Sequence, residues 1–156
     1  AEKTYQMLHQ VAGRAGREER AGKVWLQTRQ PDNPLMQALS NWDRESFLRL
    51  EKQARSEAGL PPFGRLVSLI ISSKNETEAD QIAKLLAASA PSTPRAQILG
   101  PAPSGLAFLR GRHRRRLLIK ADKKLNVQKM IADWLGGLKI RGSTKVEIDI
   151  DPQSFA

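Results

Sequence analysis

The spacing of hydrophobic positions along this 156-residue chain changes character near residue 60. Before it, Tyr5, Leu8, Val11 and Ala12, with Ala15 beyond, recur at helical spacing and predict a helix over residues 3–12. Gly13 and Gly16 interrupt its tail, and the charged run from Arg17 to Arg20 reads as a turn. The alternation in KVWLQT, Lys23 to Thr28, predicts a short strand with Trp25 in a core. PDNP punctuates the chain, and a helix can begin at Pro34. A further helix is predicted from Arg44 to Ala58, with Asp43 as N-cap and Gly59 as its stop. Trp42 and Phe47 are expected to fasten this linking helix to a neighbouring domain.

LPPFG, Leu60 to Gly64, carries two prolines and predicts an extended hinge between domains. Beyond it, RLVSLIIS (Arg65 to Ser72) predicts a strand rich in branched residues. Asn75 and Glu78 have capping-box spacing, ahead of a helix whose Ala79, Ile82, Ala83 and Leu86 share a face. A short strand over Ala96–Leu99 leads into GPAPSG, read as a turn. From Arg114 to Ala121 the alternation sends Leu117, Ile119 and Ala121 one way and Arg114, Arg116 and Lys120 the other. Asn126 caps a helix with Val127, Met130, Ile131, Trp134, Leu135 and Leu138 as its apolar stripe, and Lys145–Asp151 closes the series as a strand. The order β-α-β-β-α-β is the split-βαβ arrangement of ferredoxin-like domains, within an α+β chain.

Charge adds a partner class. The formal net charge is +10: residues 1–58 hold ten Lys and Arg against eight Asp and Glu, and residues 59–156 hold sixteen against eight. A polyanion is the expected partner, and the second part is the expected site. With no cysteine and only His9 and His113, neither a disulfide nor a zinc site is expected. Asp149 and Asp151 lack a third ligand nearby, so no metal site is expected there, and Asp151 before Pro152 reads as a turn residue. No apolar run approaches the length of a membrane span, no secretory signal core opens the chain, and a cytoplasmic protein is expected. A start without methionine inside a helix suggests a piece of something longer.

Two constellations carry chemistry. QVAGRAGR, Gln10 to Arg17, sets two arginines three apart, each after a glycine. Such arginines could reach a phosphate, or could be a solvated helix end. LRGRHRRRLLIKADKK, Leu109 to Lys124, holds eight Lys and Arg from Arg110 onward and one acid, Asp122. Because Leu117 and Ile119 must face a core, Arg114, Arg116 and Lys120 form an outer stripe, with Arg110 and Arg112 in the loop before it. Such a stripe can hold phosphates without reading base edges, or can simply keep a surface soluble.

Q-x-x-G-R-x-G-R, matched by Gln10, Gly13, Arg14, Gly16 and Arg17, resembles motif VI of superfamily 2 helicases. Together with KVWLQTRQPDNP, GLPPFGRL, ILGPAPSGLAFLRGRHRRRLLIK and VEIDIDPQSF, the chain resembles the C-terminal end of the primosomal replication-restart DNA helicases. That resemblance implies three parts: residues 1–30 closing RecA-like motor lobe 2, residues 31–62 as linking helices and hinge, and residues 63–156 as an S10-like domain. It implies that Gln10, Arg14 and Arg17 face the γ-phosphate of ATP, with Arg17 the arginine finger and Arg14 beside it. It implies fork-structured and single-stranded DNA as substrates, and by their charge and placement Arg110, Arg112, Arg114, Arg116 and Lys120 are the residues expected to meet that DNA. Further implied partners are other primosome proteins and the acidic tail of single-stranded-DNA-binding protein, the latter near Lys124 and Gln128. His113 stands where the family often has an aromatic residue. A bacterial, nucleoid-associated location follows from the same likeness.

ATP and Mg²⁺ belong to the implied parent, as does zinc in its cysteine-rich module. GREERAGKV is only a near miss to a phosphate-binding loop, with Ala21 and Val24 where the second glycine and the hydroxyl belong. No acidic DExH-type motif is present, so this chain alone is expected not to hydrolyse ATP. A non-enzymatic module binding nucleic acid or protein through its basic face is the alternative.

Overall fold

The structure is a computed structural model describing residues 2–14, 23–140 and 142–152. The chain forms two compact units, residues 1–54 and 55–156.

The first unit is helical: α1 (Glu2–Ala12), α2 (Pro34–Ser40) and most of α3 (Arg44–Glu57). Asn33 starts α2 by accepting the Leu35 N–H at 2.9 Å, with Pro34 in the first turn where no N–H is needed. Asp43 caps α3, accepting the Ser46 N–H at 3.0 Å, and bonds from Ser46 hold its carboxyl below the ordinary value. Ala38, Leu39 and Phe47 form a small core, flanked by Tyr5, Leu8, Leu35, Met36 and Leu50. Phe47 is buried, and its ring stacks on Tyr5 with centroids 4.6 Å apart, so it fastens α3 to α1. Trp42 is half exposed and meets His9 edge-on at 5.3 Å.

The strand expected at Lys23–Thr28 is absent. Those residues are exposed and outside any helix or strand, and Trp25 is 90% exposed instead of buried. Strand-like alternation needs a sheet edge to satisfy its backbone groups, and among the described residues of this unit there is no strand to pair with. Leu60–Gly64 also departs from the extended hinge. The N–H groups of Phe63 and Gly64 both turn back to the Leu60 carbonyl, at 2.9 and 3.2 Å, and the Pro61–Pro62 peptide is cis. Gly64 sits so close to Gly59 that a Cβ would lie 2.2 Å from the Gly59 oxygen, which only glycine permits.

The second unit is a four-stranded sheet with two helices: β1 (Gly64–Ser73), α4 (Glu76–Ala88), β2 (Ala96–Leu109), β3 (Arg112–Asp122), α5 (Val127–Gly136) and β4 (Lys145–Ile150). The strand order is β2-β3-β1-β4, with every neighbouring pair antiparallel. Val67, Leu69 and Ile71 of β1 and Leu117, Ile119 and Ala121 of β3 bury one face against Ala83 and Leu86 of α4 and Val127, Ile131 and Trp134 of α5. Trp134 is a core side chain whose indole N–H reaches Ser89 Oγ at 3.1 Å.

GPAPSG lies inside β2, not in a turn after it. The strand runs on to Leu109, with register breaks between Leu99 and Ala102 and between Pro103 and Phe108. An edge strand tolerates prolines that a central one would not. Asn75 caps α4 through the Glu78 N–H at 3.1 Å, but the Glu78 carboxylate does not return the bond as a capping box would. It accepts instead from the Ser73 hydroxyl and from the Ser143 N–H and hydroxyl, which hold its carboxyl below the ordinary value. Asp151 is the expected turn residue, with φ at 52°, and its carboxylate accepts from Leu66 N at 3.0 Å and Arg65 Nη1 at 2.6 Å.

Candidate nucleic-acid interface

The hairpin between β2 and β3 is closed by Arg110 and Gly111, with φ of 50° and 71°, between the paired Leu109 and Arg112. Positive φ at both central residues matches the twist of the flanking strands. Arg110 is thereby displayed, exposed, at the tip.

Strand alternation then divides the basic run between two faces. Leu117, Ile119 and Ala121 are buried on the helix face, so Arg114, Arg116 and Lys120 lie on the open face, each half-buried. Cross-strand register puts Gln97, Leu99 and Ala102 of β2 and Leu66, Ser68, Ile70 and Ser72 of β1 on that same face. Acids of β4, Glu147 and Asp149, share the face only beyond β1, opposite Ile70 and Ser68. The cations therefore form a file along β3, with apolar and hydroxyl side chains between them and the acidic edge.

Arg112 departs from the loop position expected of it. It opens β3 and is held in place: Nη2 donates to the carbonyls of Ser72 and Ser143, both at 2.6 Å, and Nε to Ser72 Oγ at 3.1 Å. These bonds tie the hairpin base to β1 and to the turn before β4, a positioning role.

The residue that sequence reasoning passed over is Arg115. Being odd-numbered like Leu117, it points to the helix face, with only 12% of its side chain exposed. There it donates from Nη2 to Glu76 at 2.8 Å and to Asp80 at 3.1 Å, while Nε also reaches Asp80. Bonding to Asp80 and then Glu76 raises the guanidinium pKa, and the same pair lowers that of Asp80. The signal was present: Glu76 and Asp80 are four apart on a predicted helix, opposite the one arginine on the core side of the strand. His113 shares this face, its ring edge-on to Phe108 at 4.9 Å and its Nδ1 3.8 Å from Glu76.

Lys124 and Gln128 do not share a helical face. Helix α5 starts at Val127 with Asn126 as cap, so Lys124 precedes it in a turn, its N–H donating to Asp122 Oδ1 at 2.7 Å. Gln128 is exposed in the first turn.

In the first unit Gln10 is exposed on α1, and Arg14 is exposed in the turn after it; Gly16 and Arg17 lie outside the described residues. Among the described residues no three His, Asp or Glu side chains come together in a group that could hold a metal ion. Among those residues no helix is long and apolar enough to cross a membrane.

Residues 56–153 match the family profile described as the primosomal protein N C-terminal domain. The chain is 43% identical over 155 residues to the replication restart protein PriA of Rickettsia felis, covering 99% of this chain and 24% of that protein. To the same protein of Treponema pallidum it is 35% identical over 156 residues, covering 97% and 23%. To that of Bacillus subtilis it is 33% identical over 159 residues, covering 97% and 20%. This chain thus spans about a quarter of the length of the first of these relatives. Its matched domain, more than half of the chain, places it in the primosomal protein N family.

Proposed function

We propose that this chain is the C-terminal part of an ATP-dependent 3′-to-5′ DNA helicase that recognises stalled or abandoned replication forks and restarts replication through primosome assembly. The names of its relatives support the restart role. The likeness of Gln10, Arg14 and Arg17 to motif VI supports an ATP-facing end of RecA-like lobe 2. The strand order β2-β3-β1-β4 supports reading the second unit as ferredoxin-like and S10-like. In this proposal the phosphate-binding loop, metal-binding acids and zinc module belong to the parent outside this chain, which alone turns over no ATP.

The part played by the chain itself is to hold DNA phosphates along β3. The observation that carries it is the open-face file of Arg114, Arg116 and Lys120, continued at the tip by Arg110 and backed by a buried face. Arg114 and Arg116 sit about 6.6 Å apart and Lys120 about 13 Å beyond them, past Leu118, and such cations contact phosphates without reading base edges. Arg112 fixes the hairpin on which they stand. Lys124 and Gln128 remain the proposed contact for the acidic tail of single-stranded-DNA-binding protein, from a turn and a helix start. Fork-DNA binding by wild type and by the Arg114→Glu/Arg116→Glu double variant tests the proposal. Strong loss of affinity in the variant is expected, whereas equal affinity at low salt would refute it.

A further inference from the structure

Where β1 and β2 begin and β3 ends, the second unit carries a groove of about 350 Å³ that includes Lys120, the last cation of the file. Its lining also brings together Phe63, Arg95, Gln97 and Lys123. Phe63 is 38% exposed although it is a large aromatic side chain. Gln97 and Lys120 are direct partners across the β2–β3 ladder, on the open face of the sheet. A Cβ on Gly59 would meet Lys120 Cε at 3.3 Å and Nζ at 3.8 Å, so the lysine stem runs along the Gly59 backbone toward the groove. The acid in the lining, Asp122, spends an oxygen on the Lys124 N–H. Among the described residues, Arg95, Lys120 and Lys123 make no ion pair.

An aromatic side chain, an amide able both to donate and to accept, and three cations without carboxylate partners are what a nucleotide requires. The base takes a ring to stack on and an amide for its edge, and the phosphates take the cations. A paired base in a duplex has both faces already stacked, so the occupant must be unpaired. We propose that the groove receives one unpaired nucleotide of single-stranded DNA, with its base against Phe63 and its phosphates on Arg95, Lys120 and Lys123. The inference rests on the proposed phosphate track of β3, because Lys120 belongs to both. That continuity with the cations of β3 favours a nucleic-acid strand over an acidic peptide.

The test compares the 156-residue chain binding an oligothymidine of about fifteen nucleotides with an abasic oligomer of equal length, over a range of salt. Wild type is expected to prefer the oligomer with bases by about tenfold. Phe63→Leu, which keeps an apolar side chain, removes that preference while leaving the salt dependence intact. Phe63→Trp keeps the preference, and its fluorescence is quenched on binding. Lys120→Ala with Lys123→Ala lowers the salt slope by about 1.4, the value for two single-strand phosphate contacts. No salt-dependent DNA binding by wild type would sink the proposed function itself. Salt-dependent binding with no difference between the two oligomers would sink this inference alone. A groove that an acidic peptide of mixed Asp and Phe fills in preference to oligothymidine, in a manner lost with Phe63→Leu, would also overturn it.

Discussion

The ion pair under β3 gives an ordering of two substitutions that simple interaction counting reverses. Arg115 makes bonds to both Asp80 and Glu76, so its loss removes more contacts than loss of Asp80 does. The exposures point the other way: the Arg115 side chain is 12% exposed, while those of Asp80 and Glu76 are 42% and 59% exposed. In Arg115→Met, both carboxylates can return to water and a buried charge is replaced by an apolar side chain of similar length. Its cost is about 1 kcal/mol or less. In Asp80→Ala, the guanidinium stays largely buried with Glu76 as its remaining acid, and the cost is about 2 kcal/mol. Urea unfolding, read from Trp134 in a Trp25→Phe/Trp42→Phe background, isolates the second unit. Asp80→Ala should lower the midpoint more than Arg115→Met at constant slope. The pH dependence has a definite sign. The folded-state pKa of Asp80 is depressed, so its contribution is complete above the unfolded aspartate value of about 4 and is lost as pH falls below it. Wild type and Asp80→Ala should therefore converge in acid. An Arg115→Met variant less stable than Asp80→Ala would refute this burial reasoning.

Gly64→Ala places a Cβ 2.2 Å from a backbone oxygen and should cost about 2–3 kcal/mol in the same urea experiment. Asn75→Ala removes the cap of α4 and should cost about 1 kcal/mol. In the full-length parent, Arg17→Ala should abolish ATP hydrolysis in a phosphate-release assay and leave fork affinity nearly unchanged. The chain alone should release no phosphate from ATP, with or without DNA.

The second unit was legible wherever a side-chain period persisted over several residues. The alternation of Leu117, Ile119 and Ala121 marked both faces of β3, and the stripe through Val127, Ile131 and Trp134 marked α5. Legibility failed where the outcome depended on a distant partner. KVWLQT has strand alternation, but the described part of its unit offers no sheet to complete its backbone bonds. GPAPSG has turn composition, yet β3 holds it as an irregular edge strand. Glu78 had capping-box spacing, but Ser73 and Ser143 offered its carboxylate more partners than the helix start did. At the candidate interface the open-face stripe followed from period alone. That Arg112 is tied down while Arg115 is turned inward required knowing which groups lie across the sheet.

The central claim is that phosphates lie along the outer face of β3, and the salt slope of fork-DNA binding measures it most directly. Each duplex phosphate contact contributes about 0.9 to the slope of log K against log salt. Replacing Arg114, Arg116 and Lys120 by alanine together should lower the slope by about 2–3. Arg115→Met, on the helix side of the same strand, should leave it unchanged. An unchanged slope in the triple variant, or an equal fall in Arg115→Met, would contradict the account.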